Sequence, residues 1–133
     1  MPIQKILVVD DSAVERYAMV DMLGRMGYQV VEATDGADAQ IKAELHAPDL
    51  ILMDVVMPGI SGFQATRQMS RSAQLSAIPI VMCTSKDTET DRVWGLRQGA
   101  KAYMVKPISE RALMRVIRGL DDGQAFVSPT ITV

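Results

Sequence analysis

Short runs of apolar, mostly β-branched residues recur along the chain, separated by longer segments of helical periodicity. The runs cover residues 6–9, 30–31 with their flanks, 50–53, 80–83 and, more weakly, 102–105. They lack the strict apolar–polar alternation of a strand that has one solvent-exposed face. Continuous apolar runs of this kind are typical of strands buried on both faces of a parallel sheet. The pattern therefore predicts five internal strands.

A helix is predicted after each strand. The first, at about 13–26, is followed by Gly27 as its stop. It carries apolar residues at helical spacing: Val14, Tyr17, Ala18, Met22 and Met26. The second is expected at about 37–45 and the third after Gly62, and the fifth runs from about 109 to 120. Thr88 and Asp91 form a candidate capping box for the fourth, whose core face is expected to include Val93 and Leu96.

Five repetitions of strand and helix imply right-handed crossovers and helices on both faces of the sheet. The predicted fold class is α/β: a flavodoxin-like (βα)5 doubly wound parallel sheet with strand order 2-1-3-4-5. One domain is expected over residues 1–121, followed by a short flexible tail at 122–133.

Composition narrows the function classes. The chain has 14 basic and 16 acidic residues, a net charge of −2, and no basic run, so we expect no nucleic-acid partner. No apolar stretch approaches the ~20 residues that span a bilayer, so we expect a cytoplasmic protein without membrane insertion. Cys83 lies within an apolar run and is expected to be buried and unpaired. A monomer or weak dimer is expected.

Polar residues follow four of the predicted strands directly. Asp10 and Asp11 close the first strand, Asp54 the third, Thr84 the fourth and Lys106 the fifth. The carboxyl ends of parallel strands share one edge of the sheet, so these side chains are expected to converge. Clustered carboxylates repel one another unless a cation neutralises them, and hard oxygen ligands without His or Cys indicate Mg²⁺.

Each of these residues also has an ordinary interpretation. Asp10 or Asp11 could cap the first helix, and Asp54 could be a turn residue before Pro58. Lys106 could be a surface lysine, as Thr84 could be an ordinary strand residue or a cap. The ordinary roles explain them one by one but not their joint placement at a single edge.

Four segments resemble the signature blocks of response-regulator receiver domains: residues 8–12, 52–59, 82–85 and 99–107. The resemblance covers residues 5–120 and implies a CheY-like signalling switch. Segments 62–68 and 93–100 further resemble the PilH-type regulators of twitching motility. The resemblance implies a sensor histidine kinase as phosphoryl donor, with a CheA-like kinase as one candidate, and a downstream protein as target.

The resemblance also assigns roles. Asp54 is the implied phosphoacceptor, and Asp10, Asp11, Asp54 and the backbone carbonyl of Val56 are the implied Mg²⁺ ligands. The implied switch pair is Thr84 and Tyr103, while Lys106 contacts the phosphoryl group and precedes a cis peptide to Pro107. Val56 and Lys86 depart from common versions of the motif, which leaves the lifetime of the phosphorylated state open.

Three other functions compete with the phosphorylated switch. An aspartyl-phosphate phosphatase would carry a second acid two residues after the nucleophile, where this chain has Val56. An interaction module that has this fold but is never phosphorylated would not need the three aspartates Asp10, Asp11 and Asp54. A flavin-binding module of the same topology is disfavoured because three carboxylates would repel the cofactor phosphate.

Overall fold

Five parallel strands form one sheet in the order β2-β1-β3-β4-β5, so the predicted topology is confirmed. The computed structural model describes residues 2–123. The strands are β1 (Lys5–Val9), β2 (Gln29–Ala33), β3 (Leu50–Met53), β4 (Ile80–Thr84) and β5 (Ala102–Val105). The helices are α1 (Ala13–Arg25), α2 (Gly36–His46), α3 (Gly62–Ser70), α4 (Glu89–Arg97) and α5 (Glu110–Asp121). Most of the expected tail lies outside the described residues.

Helices cover both faces of the sheet, which explains the continuous apolar runs. Along β1, Leu7 and Val9 pack with α2 and α3, whereas Ile6 and Val8 pack with α1 and α5. All four side chains are buried because successive residues of a strand point to opposite faces. Within the described part of the chain, no helix combines the length and apolarity that membrane crossing requires.

Each helix begins at a polar cap whose side chain accepts a hydrogen bond from a backbone N–H of the first turn. The caps are Ser12, Asp35, Ser61, Thr88 and Ser109. Half of the predicted capping box of Thr88 and Asp91 is present: Thr88 Oγ1 accepts the Asp91 N–H at 3.1 Å, while the Asp91 carboxylate accepts from the Thr88 hydroxyl at 2.7 Å. Capping satisfies orphan amides of the first turn, and because each helix follows a strand, the helices begin on the side of the sheet where the strands end.

The helix faces that meet the sheet differ in part from the predicted ones. On α1, Val14 is 80% exposed and Tyr17 71% exposed, whereas Met22 and Met26 are partly buried against the core beside the buried Leu23. This helix has apolar residues on more than one side, so periodicity could not decide which side meets the sheet. On α4, Val93 is 40% exposed and the buried residue is Gly95, which allows the helix to approach β5 closely.

Candidate functional site

Three carboxylates meet at the carboxyl edge of the sheet, as the sequence predicted. Asp10 follows β1 and Asp54 follows β3, and these strands pair with Val9 opposite Met53. The Asp54 N–H donates to the Val9 carbonyl at 3.0 Å, which ties the two strand ends together. Asp10, Asp11 and Asp54 each offer an oxygen within 4.8 Å of the others.

The turn after β1 lets two adjacent aspartates share the site. Asp10 is buried, and its Oδ1 accepts a hydrogen bond from the Ser12 N–H at 2.9 Å. Arg16 Nη1 donates to the Asp10 carbonyl at 2.8 Å, which holds the turn against α1. Ser12 is the helix cap, so neither aspartate is needed for capping and the exposed Asp11 carboxylate can face the site.

Asp54 is held by the loop between β3 and α3. Its Oδ1 accepts the Val55 N–H at 2.7 Å, and the Val55 carbonyl accepts the Gly62 N–H at 2.8 Å. Only 9% of Asp54 is exposed. Burial raises the pKa of the Asp54 carboxyl, and the charge of Asp10 raises it further, while the Lys106 ammonium opposes both effects.

Lys106 spans the cluster from the end of β5. Its Nζ donates to Asp10 Oδ2 at 2.7 Å, to Asp54 Oδ2 at 3.2 Å and to Glu15 Oε1. Burial alone would lower the lysine pKa, but the hydrogen bonds to Asp10 and Glu15, together with the charges of Asp54 and Asp10, raise the pKa overall. The peptide from Lys106 to Pro107 is cis, as the resemblance implied.

Glu15 was missed by sequence reasoning. It lies in the first turn of α1, three residues after the cap Ser12 and four after Asp11. That spacing was the available signal, but the contact with Lys106 also depends on how the helix enters from the turn.

Thr84 and Tyr103 lie beside the cluster and are linked through one loop residue. Thr84 is fully buried, and its Oγ1 accepts the Lys86 N–H at 3.3 Å. The buried Tyr103 ring lies inward, and its hydroxyl donates to the Lys86 carbonyl at 2.8 Å. Burial raises the pKa of Tyr103, so the phenol stays protonated. Val56, by contrast, has an exposed side chain.

The cluster fits a hard divalent cation. The four carboxylic acids Asp10, Asp11, Asp54 and Glu15 face the single basic group of Lys106, a formal charge of −3. The ligand atoms are oxygens without nitrogen or sulfur, which is the donor set of Mg²⁺. A cation would relieve the repulsion that, together with burial, raises the pKa of Asp54.

The family model of the response regulator receiver domain matches residues 6–118. The chain belongs to this family. Protein PilH of Pseudomonas aeruginosa is 49% identical over 116 residues, which are 87% of this chain and 96% of that protein. The regulatory protein PhoP of Bacillus subtilis is 41% identical over 96% of this chain, but the chain spans only 52% of its length. The chain likewise spans about half of the other curated transcriptional regulators that it resembles.

Solved receiver structures have the same fold. Chemotaxis protein CheY4 of Vibrio cholerae superposes with a TM-score of 0.81 at 32% identity, over 87% of this chain and 97% of that chain. A CheY-like receiver domain of Methanospirillum hungatei gives a TM-score of 0.83 at 26% identity, over 92% and 96%. The chain is thus a CheY-like receiver domain of a response regulator, a class of signalling switch that histidine kinases phosphorylate.

Proposed function

We propose that this receiver accepts a phosphoryl group on Asp54 from a histidine kinase and then changes a protein-binding face. The observation that carries the proposal is the convergence of Asp10, Asp11 and Asp54 within 4.8 Å, with the Lys106 ammonium bridging two of them. Asp10, Asp11, Asp54 and the Val56 carbonyl would hold Mg²⁺. When bound, the ion neutralises charge on the carboxylates and on the transferred group.

The hydrogen bonds distinguish the two oxygens of Asp54. Oδ1 accepts the Val55 N–H, while Oδ2 faces Lys106. In the transfer, an Asp54 oxygen forms a bond to phosphorus as the bond from phosphorus to the donor imidazole nitrogen breaks, and the imidazole leaves. Lys106 would stabilise the phosphoryl oxygens by charge, and the Thr84 hydroxyl would donate a hydrogen bond to one of them.

The response would pass from Thr84 to Tyr103. A Thr84 hydroxyl drawn toward the phosphoryl group alters its contact with the Lys86 backbone, whose carbonyl also accepts the Tyr103 hydroxyl. Tyr103 packs beneath α4, so a change in Lys86 favours one ring packing over another. The face made by α4, β5 and α5 is the surface that changes.

The finer assignment is control of type IV pilus twitching motility, supported by the 49% identity with PilH. We further propose one folded unit over residues 1–121, a monomeric or weakly dimeric state, and no nucleic-acid partner. A downstream protein would read the α4–β5–α5 face, and the donor would be a histidine kinase.

Mg²⁺ binding tests the metal assignment. Asp11 is exposed, so Asp11→Ala should fold normally while losing one of three carboxylate ligands. We expect its Mg²⁺ affinity, measured by calorimetry, to fall by about tenfold or more. Asp21→Ala, which removes an exposed aspartate paired with Arg25 on α1, is the matched control and should keep wild-type affinity. Equal affinities of wild type and Asp11→Ala would remove the metal assignment.

Phosphotransfer from a kinase tests the role of Asp54, and a motility assay tests the proposed control of twitching. Wild type should take label from a phosphorylated histidine kinase of its source organism, and Asp54→Asn should not. In a twitching bacterium that lacks its PilH, wild type should restore normal motility and Asp54→Asn should not. Restoration by both would favour the unphosphorylated interaction module, and catalytic turnover of a phosphomonoester would favour a phosphatase.

A further inference from the structure

Glu15 adds a fourth carboxylate to the crevice, outside the three-aspartate cluster. Its N–H donates to Ser12 Oγ at 3.3 Å in the first turn of α1, and α1 begins two residues after Asp11. The turn that positions the aspartates therefore also positions Glu15. Its side chain is 52% exposed, so the pair with Lys106 forms at the rim of the site.

Lys106 divides its three N–H groups among three carboxylates. The hydrogen bond to Asp54 Oδ2, at 3.2 Å, is longer than the bond to Asp10 Oδ2 at 2.7 Å. The ammonium thus makes a shorter hydrogen bond to Asp10 than to Asp54, and it also donates to Glu15 on α1.

The pair between Glu15 and Lys106 lies at the wall of an apolar groove of about 400 Å³. The groove is otherwise lined by Ala18, Met19, Met22, Pro107 and Ile108. Apolar walls reduce the water available to either charge, which strengthens their attraction relative to an ion pair in open solvent.

We infer that Glu15 is a positioning residue that competes with the phosphoryl group on Asp54 for the Lys106 ammonium. The inference rests on the proposed function. A cation held by Asp10 and Asp54 would neutralise two of the three acceptors of Lys106, and Glu15 is the third. Loss of the Glu15 charge therefore favours the phosphorylated state twice: it frees an N–H of Lys106, and it removes an anion that repels the phosphoryl oxygens.

Beryllofluoride, a noncovalent mimic of the phosphoryl group, provides the test at saturating Mg²⁺. Glu15→Gln keeps the size of the side chain and removes its charge. Because the pair is half-exposed, we expect beryllofluoride to bind Glu15→Gln about two- to fivefold more tightly than wild type. Glu44→Gln, which removes an exposed carboxylate from α2, is the control and should bind like wild type.

A second readout separates positioning from a structural role. Without Mg²⁺, the side-chain ¹⁵Nζ resonance of Lys106, assigned by its loss in Lys106→Ala, should move in Glu15→Gln and stay in place in Glu44→Gln. Both variants should unfold at the wild-type denaturant concentration. Equal or weaker beryllofluoride binding by Glu15→Gln, or an unmoved Lys106 resonance, would overturn the inference about Glu15 and leave the proposed function intact. Failure of wild type to bind beryllofluoride at all would overturn the proposed function.

Discussion

The burial of the Asp54 carboxyl costs folding stability, whereas the proposed phosphorylation requires a carboxylate at this position. A buried carboxylate is costly to ionise, and burial raises its pKa. Lys106 offsets only part of that cost, because its ammonium is shared with Asp10 and Glu15. The site thus holds charge that does not stabilise the fold but attracts a cation.

This reasoning predicts that Asp54→Asn stabilises the metal-free protein at neutral pH. A carboxyl whose pKa is raised on folding favours the folded state at low pH, and this contribution is lost as the pH rises through its folded pKa. An Asn side chain does not titrate, so the Asp54→Asn variant keeps its stability as the pH rises through this range. We expect a melting temperature about 2–6 °C above wild type at pH 7 in EDTA, with the difference shrinking toward about pH 4. A variant less stable than wild type, or a difference independent of pH, would contradict the assignment.

The site residues were predictable to the extent that strand ends determine them. Asp10, Asp54 and Lys106 each follow an apolar strand and Thr84 ends one, and parallel strands bring such positions together. The contact of Glu15 was not predictable in this way, since it depends on the turn between β1 and α1 and on a side-chain conformation.

At the scale of elements, two glycines bring helices close to the site. A Cβ on Gly62, at the start of α3, would lie 1.9 Å from the Asp54 carbonyl oxygen. A Cβ on Gly95, in α4, would lie 2.9 Å from Cδ2 of the Tyr103 ring. The sequence indicated Gly62 only as a residue that precedes a helix, and it indicated the wrong face of α4. The periodicity of a sequence reveals where apolar side chains lie on a helix. A glycine at a close contact has no side chain, so periodicity cannot reveal that contact.

Gly62→Ala should therefore damage both stability and the site. The clash is with backbone, so the β3–α3 loop that carries Asp54 must move. We expect a loss of about 3 kcal/mol or more in unfolding free energy, together with weaker Mg²⁺ binding. Gly24→Ala, in α1 with open space around it, is the control and should gain about 0.5–1 kcal/mol. Wild-type stability and Mg²⁺ affinity in Gly62→Ala would show that the loop does not depend on this approach.

Gly95→Ala should push against the Tyr103 ring. The ring is buried and its hydroxyl is bonded to the Lys86 carbonyl, so it has little room to adjust. We expect a loss of about 1–3 kcal/mol in denaturant unfolding. In a Tyr103→Ala background the same substitution should cost much less, because the clashing atoms are gone. Equal costs in the two backgrounds would mean that the helix and the ring are not in close contact.

At the scale of the whole molecule, the fold collects opposite charges at opposite ends of its helices. Acidic residues lie in the first turns of α1, α2, α4 and α5, and arginines lie in the last turns of α1, α4 and α5. This arrangement complements the helix dipoles and adds negative potential at the carboxyl edge of the sheet, where the aspartates converge. The edge therefore favours a cation and, once the cation is bound, a phosphoryl group beside it.

The mass of the intact protein after treatment with a small-molecule phosphodonor tests the central claim most directly. With Mg²⁺, wild type should gain the mass of one phosphoryl group, and fragmentation should place it on Asp54. The gain should be absent in Asp54→Asn and strongly reduced in EDTA. A phosphoryl group on Asp54→Asn, or none on wild type with Mg²⁺ and a donor that phosphorylates another receiver domain, would contradict the account.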